Sequence, residues 1–110
     1  MKQPCVYILA SKRNGTLYIG VTSNLAERVA MHKHDLLEGF SKRYQTHTLV
    51  YFEMHPAMDE AIKREKKLKE WQRSWKLRLI EQANPEWLDL YDDESGALLD
   101  APAVREHFHG

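Results

Sequence analysis

The chain has 110 residues, 43% of them hydrophobic, with 16 basic and 16 acidic side chains. This length suits one domain with its own core, and a single cysteine excludes an internal disulfide. The sequence has neither an apolar stretch long enough to cross a bilayer nor a signal-peptide pattern. We therefore expect a cytoplasmic protein without a membrane partner.

Charge is distributed unevenly along the chain. Residues 1 to 82 hold 15 Lys and Arg against 9 Asp and Glu, a net charge of +6, while residues 83 to 110 hold 1 against 7, a net charge of −6. These numbers indicate a basic body followed by an acidic tail. We expect the domain to span residues 1–88 and a partly disordered acidic tail to span residues 89–110. A basic body favours a nucleic acid as the partner. The side chains predicted to contact its phosphate backbone are Lys12, Arg13, Lys42, Arg43, Lys63, Lys66 and Lys67.

Both charged segments have other interpretations. The lysines of residues 63–69 also fit a solvated helix face, which is the usual role of such a run. The acidic tail is either a mobile extension, a competitor of phosphate for the basic surface, or a site for a protein partner.

A β-hairpin is predicted near the N-terminus. Two short β-branched and aromatic runs, residues 5–10 and 17–21, flank Asn14-Gly15, a dipeptide that accepts positive φ at both central turn positions. With that turn, the numbers of paired residues sum to 29. Tyr7 and Tyr18 then share one face, four residues apart, about 13 Å at the usual strand rise. Gly20 lies between them, and a recess flanked by two phenols follows.

A helix is predicted from Leu25 to Glu38, with Gly39 as its end. Asn24 is a favourable N-cap, and the third helical position holds a glutamate, as in a capping box. Arg28 and His32 are four residues apart and so share a face. His32 falls on the apolar stripe that Leu25, Val29 and Leu36 define. The alternative is a half-buried structural histidine beside a surface arginine.

A second helix opens at Pro56 and places a carboxylate where an apolar residue is expected. Its inward stripe is formed by Met58, Ala61, Ile62 and Leu68, and Glu65 lies in the middle of it. A buried carboxylate costs several kcal/mol unless a cation, a hydrogen-bond network or a metal compensates it. Either Arg28 pairs with Glu65 in a structural ion pair, or Glu65 holds a hydrated divalent ion together with a substrate phosphate.

The rest of the chain is predicted to be scaffold. Residues 48–55 alternate as a third strand, and a third helix is expected from about Ser74 to Ala83. Asn84 precedes Pro85 and so fits a helix terminator. The aromatic and leucine side chains expected to pack are Trp71, Trp75, Leu79, Trp87, Leu88 and Leu90.

Taken in order, these residues resemble the GIY-YIG endonuclease family, which includes the nuclease module of bacterial excision repair and many small stand-alone bacterial proteins. The resemblance covers roughly residues 4 to 88. Val6-Tyr7 and Tyr18-Ile19-Gly20 match the two motifs that name the family, although Cys5 replaces the first motif glycine. The arginine, the following histidine or tyrosine, and the metal-binding glutamate of the family match Arg28, His32 and Glu65. Asn84 lies where some members carry an active-site asparagine.

The resemblance implies an α/β fold with a small three-stranded, mainly antiparallel sheet flanked by helices. It also implies metal-dependent phosphodiester hydrolysis of DNA, in repair or recombination, with one Mg²⁺ or Mn²⁺. Tyr7 is the candidate base once its pKa is lowered, helped by Tyr18, and His32 is the alternative. Arg28 would donate to the phosphate and Glu65 would hold the metal.

These roles require a shared cleft. We expect the hydroxyls of Tyr7 and Tyr18, the guanidinium of Arg28 and the carboxylate of Glu65 to line it. Two other functions would leave this chemistry unused: a nucleic-acid-binding module of the same fold that does not cut, and an adaptor that acts through the tail.

Overall fold

A computed structural model describes residues 3–37 and 39–99 of the chain. In this part, three strands and four helices follow one another as β1 Cys5–Ala10, β2 Leu17–Thr22, α1 Leu25–Lys33, α2 Phe40–Tyr44, β3 Thr48–Met54, α3 Met58–Glu70 and α4 Arg73–Ala83. The predicted α/β class is therefore confirmed. No helix within the described ranges is long and apolar enough to span a membrane.

The three strands form one antiparallel sheet in the order β2-β1-β3. All six residues of the central strand β1 are buried, because β1 has a neighbour on each edge and helices cover the sheet. A strand covered on both faces is expected to be continuously apolar, as Cys5–Ala10 is. Cys5 lies within this strand, and burial raises the pKa of its thiol to about 12.

The hairpin register differs from the predicted one. Tyr7 pairs with Gly20 and Leu9 with Tyr18, so paired numbers sum to 27 rather than 29. The turn is centred one residue earlier, since the amide of Gly15 donates to the Lys12 carbonyl at 2.9 Å and Asn14 takes the positive φ, 59°. A shift of two keeps each side chain on its face, so the shared face is confirmed. The predicted separation of about 13 Å is wrong.

Helix α1 begins as predicted but ends at Lys33 rather than at residue 38. The Asn24 side chain accepts the amide of Glu27 at 3.3 Å. At the other end Asp35 takes a left-handed φ of 55°, its amide donates to His32, and the amide of Leu36 donates to Met31. This Schellman motif satisfies the last carbonyls before Gly39 is reached. Leu36 consequently lies outside the helix and is 67% exposed, so its predicted place in the apolar stripe is wrong.

Strand β3 carries a bulge that α4 stabilises. Ile8 pairs with Tyr51 and Leu9 with Leu49, which leaves Val50 as an extra residue. The Asn84 amide at the end of α4 donates to the Val50 carbonyl at 3.0 Å and to the Leu88 carbonyl at 2.8 Å. Asn84 is thus a buried helix terminator that also ties α4 to the sheet.

The first part of the predicted tail packs on the domain. Leu90 is buried and donates its amide to Leu49, and Tyr91 forms an isolated bridge with Leu98. Asp89 and Asp93 form ion pairs with Lys33 at the end of α1. Residues 100–110 lie outside the described residues, so the boundary at residue 88 stays a prediction. Among the aromatic and leucine side chains expected to pack, Trp75 and Leu88 are exposed.

Candidate functional site

The two motif tyrosines touch each other on one face of the sheet. Their ring centroids are 6.1 Å apart, because Tyr18 sits diagonally across from Tyr7 on the neighbouring strand. The Tyr7 ring lies over Gly20: a Cβ at that position would meet the Tyr7 hydroxyl at 2.5 Å. Glycine is therefore required there by the tyrosine itself, which explains the Tyr-Ile-Gly order of the second motif.

His32 completes a three-ring cluster. It comes from the last turn of α1, it is buried, and its Nε2 lies 3.0 Å from the Tyr7 hydroxyl. Its ring centroid is 5.8 Å from that of Tyr7 and 5.0 Å from that of Tyr18. We name Tyr7, Tyr18 and His32 the tyrosine–histidine cluster. The structure thus places His32 on the face of the sheet that carries the two motif tyrosines.

Burial sets the protonation of the cluster. It raises the pKa of Tyr7 well above the ordinary value, Tyr18 adds to the rise, and the positive charge of Arg28 offsets only part of it. Burial, Arg28 and His47 lower the pKa of His32 to about 4. At neutral pH both groups are uncharged. The expectation of a lowered pKa for Tyr7 is therefore wrong for the protein alone, because loss of solvation outweighs the nearby arginine.

Glu65 lies where the sequence predicts, on the inward face of α3. Ala61 and Leu68, one turn to either side, are fully buried, and the Glu65 side chain is 15% exposed. Its carboxylate Oε2 lies 3.4 Å from the Lys69 ammonium, so the cation beside it is Lys69. Lys69 also lines a surface depression next to Tyr18. The shared cleft of Glu65 with both tyrosines stays a prediction.

The basic residues predicted for DNA contact are distributed over three elements and all are exposed. Lys12 and Arg13 lie in the hairpin loop. The other five lie on helices, Lys42 and Arg43 on α2 and Lys63, Lys66 and Lys67 on α3. Arg13 reaches the Pro85 carbonyl at 3.4 Å, and the Arg43 guanidinium lies over the Tyr44 ring at 5.5 Å. Their joint use as one DNA surface stays a prediction.

A second buried polar cluster was not anticipated from the sequence. The Glu53 carboxylate accepts hydrogen bonds from the Tyr51 hydroxyl at 2.7 Å and from Arg64 Nε at 3.1 and 3.2 Å, and His55 Nε2 lies 2.7 Å away. We name Tyr51, Glu53, His55 and Arg64 the Glu53 cluster. Alternation along β3 puts 51, 53 and 55 on one face, which was the available signal. Because Tyr51 pairs with Ile8, this face is opposite to that of Tyr7.

The donor groups of the described residues limit which metal those residues can hold. No group of three or more His, Cys, Asp or Glu side chains with metal-binding geometry occurs within residues 3–37 and 39–99. A partly buried single carboxylate, Glu65, fits Mg²⁺ or Mn²⁺, which keeps several waters and completes its shell with substrate phosphate. It does not fit a structural zinc site, which needs four protein ligands.

The sheet, the paired tyrosines and the arginine, histidine and glutamate that follow them define a small α/β catalytic domain of the GIY-YIG type. Residues 3–78 match the GIY-YIG catalytic domain family. The chain belongs to this family, whose members are generally nucleases that depend on a divalent metal.

Small bacterial proteins are similar over most of the chain. A UPF0213 protein of Staphylococcus haemolyticus is 37% identical over 82 residues, which is 74% of this chain and 99% of that protein. A UPF0213 protein of Staphylococcus saprophyticus is 33% identical over the same shares. One from Staphylococcus aureus is 36% identical over 77 residues, which is 70% of this chain and 93% of that protein. No solved structure matches the chain significantly.

Proposed function

We propose that this protein is an endonuclease that hydrolyses phosphodiester bonds in DNA with one Mg²⁺ or Mn²⁺. The observation that carries the proposal is the 3.0 Å contact between the Tyr7 hydroxyl and His32 Nε2, next to Tyr18 and within the field of Arg28. A buried phenol–imidazole pair is a proton path, and phosphodiester hydrolysis needs one. Resemblance to the nuclease module of excision repair suggests DNA repair or recombination as the setting.

The proton from the attacking water passes through Tyr7 to His32. Tyr7 stays protonated in the free protein, so it donates its own proton to Nε2 while its oxygen accepts one from water. His32 is neutral at physiological pH and has room for that proton. Negative charge on the bound phosphate stabilises the imidazolium that forms. In this proposal Tyr7 is the relay and His32 the final acceptor.

The remaining residues interact with the charged groups of the substrate and with the metal ion. Arg28 donates two parallel hydrogen bonds to the phosphate oxygens that gain charge in the transition state. Glu65 would hold the divalent ion, which when bound would neutralise charge on the leaving oxygen. Exposed lysines and arginines bind the flanking phosphates, and they provide most of the affinity.

The test is cleavage of branched, nicked, single-stranded and duplex DNA with Mg²⁺, with Mn²⁺ and with a chelator. We expect cutting only with metal. Glu65→Gln keeps the shape but removes the metal's charge partner, so cleavage should fall by more than about a hundredfold while DNA affinity changes only a few-fold.

Two results would contradict the proposal in different ways. Equal cleavage by the parent and the Glu65→Gln variant would remove Glu65 from the mechanism. DNA binding without cleavage of any substrate would instead favour the alternative of a nucleic-acid-binding module with the same fold.

A further inference from the structure

Glu65 and Lys69 form the one ion pair that joins the candidate metal ligand to another side chain in the described part of the chain. They are four residues apart on α3, and the carboxylate Oε2 and the ammonium are 3.4 Å apart. The glutamate side chain is 15% exposed and the lysine side chain 54% exposed. The carboxylate is therefore held in place by α3 packing, whereas the lysine has room to move.

Lys69 lies beside the catalytic face. It lines a surface depression together with Leu17, Tyr18 and Ile19 of β2, Phe40 of α2 and Lys76 of α4. β2 is an edge strand, so this depression runs along the open side of the sheet next to the tyrosine–histidine cluster. Lys69 and Lys76 therefore line the same depression as Tyr18, a tyrosine of the proposed site.

We propose that Lys69 is the built-in counter-ion of Glu65: it occupies the carboxylate until a divalent ion displaces it, and it then binds a DNA phosphate in the depression beside Tyr18. This inference deepens the proposed function and rests on Glu65 as the metal ligand. It gives Lys69 a role distinct from that of Lys63, Lys66 and Lys67, which are exposed on the same helix.

The charges explain why the exchange is favourable. A carboxylate on an otherwise apolar helix face needs a cation in the free protein, and Lys69 supplies it. A divalent ion and an ammonium group compete for the same oxygen atoms. When the ion binds, it repels the ammonium, whose three N–H donors then suit a phosphate a few ångström away. Metal binding and phosphate binding are thereby coupled through one side chain.

The experiment measures Mn²⁺ binding to the full-length protein without DNA, by electron paramagnetic resonance of free Mn²⁺. Lys69→Met removes the ammonium but keeps the aliphatic stem. Because an ion pair of this exposure is worth a factor of a few, we expect Mn²⁺ to bind about three- to fivefold tighter than to the parent. Lys69→Arg keeps the cation and should restore the parental affinity.

Lys67→Met is the matched control, since it makes the same charge change on the same exposed helix. It should tighten Mn²⁺ binding by less than about 1.5-fold, because distant surface charges are screened. In cleavage at saturating metal, Lys69→Met should raise KM for DNA more than it lowers kcat. A merely structural helix contact would change neither metal affinity nor KM in this way.

The possible results distinguish a failure of this inference from a failure of the proposed function. Loss of Mn²⁺ binding in Glu65→Gln with equal affinities in Lys69→Met and Lys67→Met would overturn the inference and leave the metal site standing. Unchanged Mn²⁺ binding in Glu65→Gln would overturn both. If Mn²⁺ binding is too weak to detect in the parent but is detected in Lys69→Met, the inference is supported. If no Mn²⁺ binding is detected in either protein, the inference is contradicted.

Discussion

Two buried polar clusters lie on opposite faces of the same sheet, and they differ in how their charge is balanced. In the Glu53 cluster, the carboxylate is surrounded by donors from Tyr51, His55 and Arg64. In the tyrosine–histidine cluster, two phenols and a neutral imidazole meet, and the nearby positive charge belongs to Arg28. The first cluster contains a cation and an anion that compensate each other. In the second cluster, the negative charge of a substrate can balance the positive charge of Arg28.

Under the proposed function, this difference separates a structural cluster from a reactive one. Tyr7 and Tyr51 are equally buried, and burial raises the pKa of both hydroxyls. A shifted pKa alone therefore does not identify the site. What distinguishes Tyr7 is its partner, an uncharged base that can take a proton, whereas the partner of Tyr51 is a carboxylate already bonded to an arginine.

The largest expected effect is on cleavage by Tyr7→Phe. The substitution removes the proton relay, and loss of general acid–base catalysis costs about 10²- to 10³-fold in kcat. Stability should fall by only about 1 kcal/mol, because one hydrogen bond is lost and the ring stays. The measurement pairs single-turnover cleavage with urea unfolding.

Tyr51→Phe is the matched control for that variant. It also deletes one buried tyrosine hydroxyl, which donates to the Glu53 carboxylate at 2.7 Å. We expect a similar loss of stability and a cleavage rate within about twofold of the parent, since the proposed mechanism does not use the Glu53 cluster. Equal loss of cleavage in both variants would end the distinction between the clusters.

Glu53→Gln should have the opposite effects to Tyr7→Phe: a large loss of stability and no loss of cleavage. It breaks a buried ion pair with Arg64 and leaves a polar network without its charge, which costs about 3 kcal/mol. Urea unfolding measures this, with the exposed Glu70→Gln as a control expected within about 0.5 kcal/mol of the parent. Cleavage per folded molecule should be unchanged below the unfolding range. If the Glu53→Gln protein stays stably folded but has lost activity, the chemistry belongs to the Glu53 face of the sheet and our assignment is wrong.

A smaller effect is expected from pH on the tyrosine–histidine cluster. The pKa of His32 is about 4 in the folded protein, against 6.5 ordinarily, so the unfolded chain binds the proton more readily. The stabilisation from neutral His32 is complete above pH 6.5 and is lost as pH falls toward 4, by about 2 kcal/mol. Urea unfolding at pH 7 and pH 4.5 tests this. The loss should shrink in His32→Gln; an identical pH dependence would show that His32 is not the buried neutral group.

The smallest effect concerns charges outside both clusters. Asp93→Asn with Glu94→Gln neutralises two exposed carboxylates that follow α4 while it keeps Asp89, which accepts the Leu49 amide. If the segment competes with phosphate, DNA affinity should rise about twofold at low salt and converge with the parent at high salt. The pair Asp59→Asn and Glu60→Gln makes the same change in net charge on α3. A similar gain in that pair would mean that only net charge matters.

The sequence by itself predicted the three strands and most of the helices, and it named the residues of the candidate site. Apolar runs, the Asn24 cap and the 3.6-residue period predicted β1, β2 and the start of α1, because these signals are local. The alternation rule placed Tyr7 and Tyr18 on one face even with the wrong turn, since the register error was two residues. Glu65 stood out because a carboxylate interrupted an apolar stripe.

Only the tertiary structure decided how these groups are charged and paired. The Tyr7–His32 contact, the pairing of Glu65 with Lys69 and the Glu53–Arg64 network join residues through space. Solvent exclusion then reversed the expected pKa shift of Tyr7, because burial depends on packing from all sides. Short-range patterns thus name the reactive groups, and their protonation follows from the long-range packing that removes water around them.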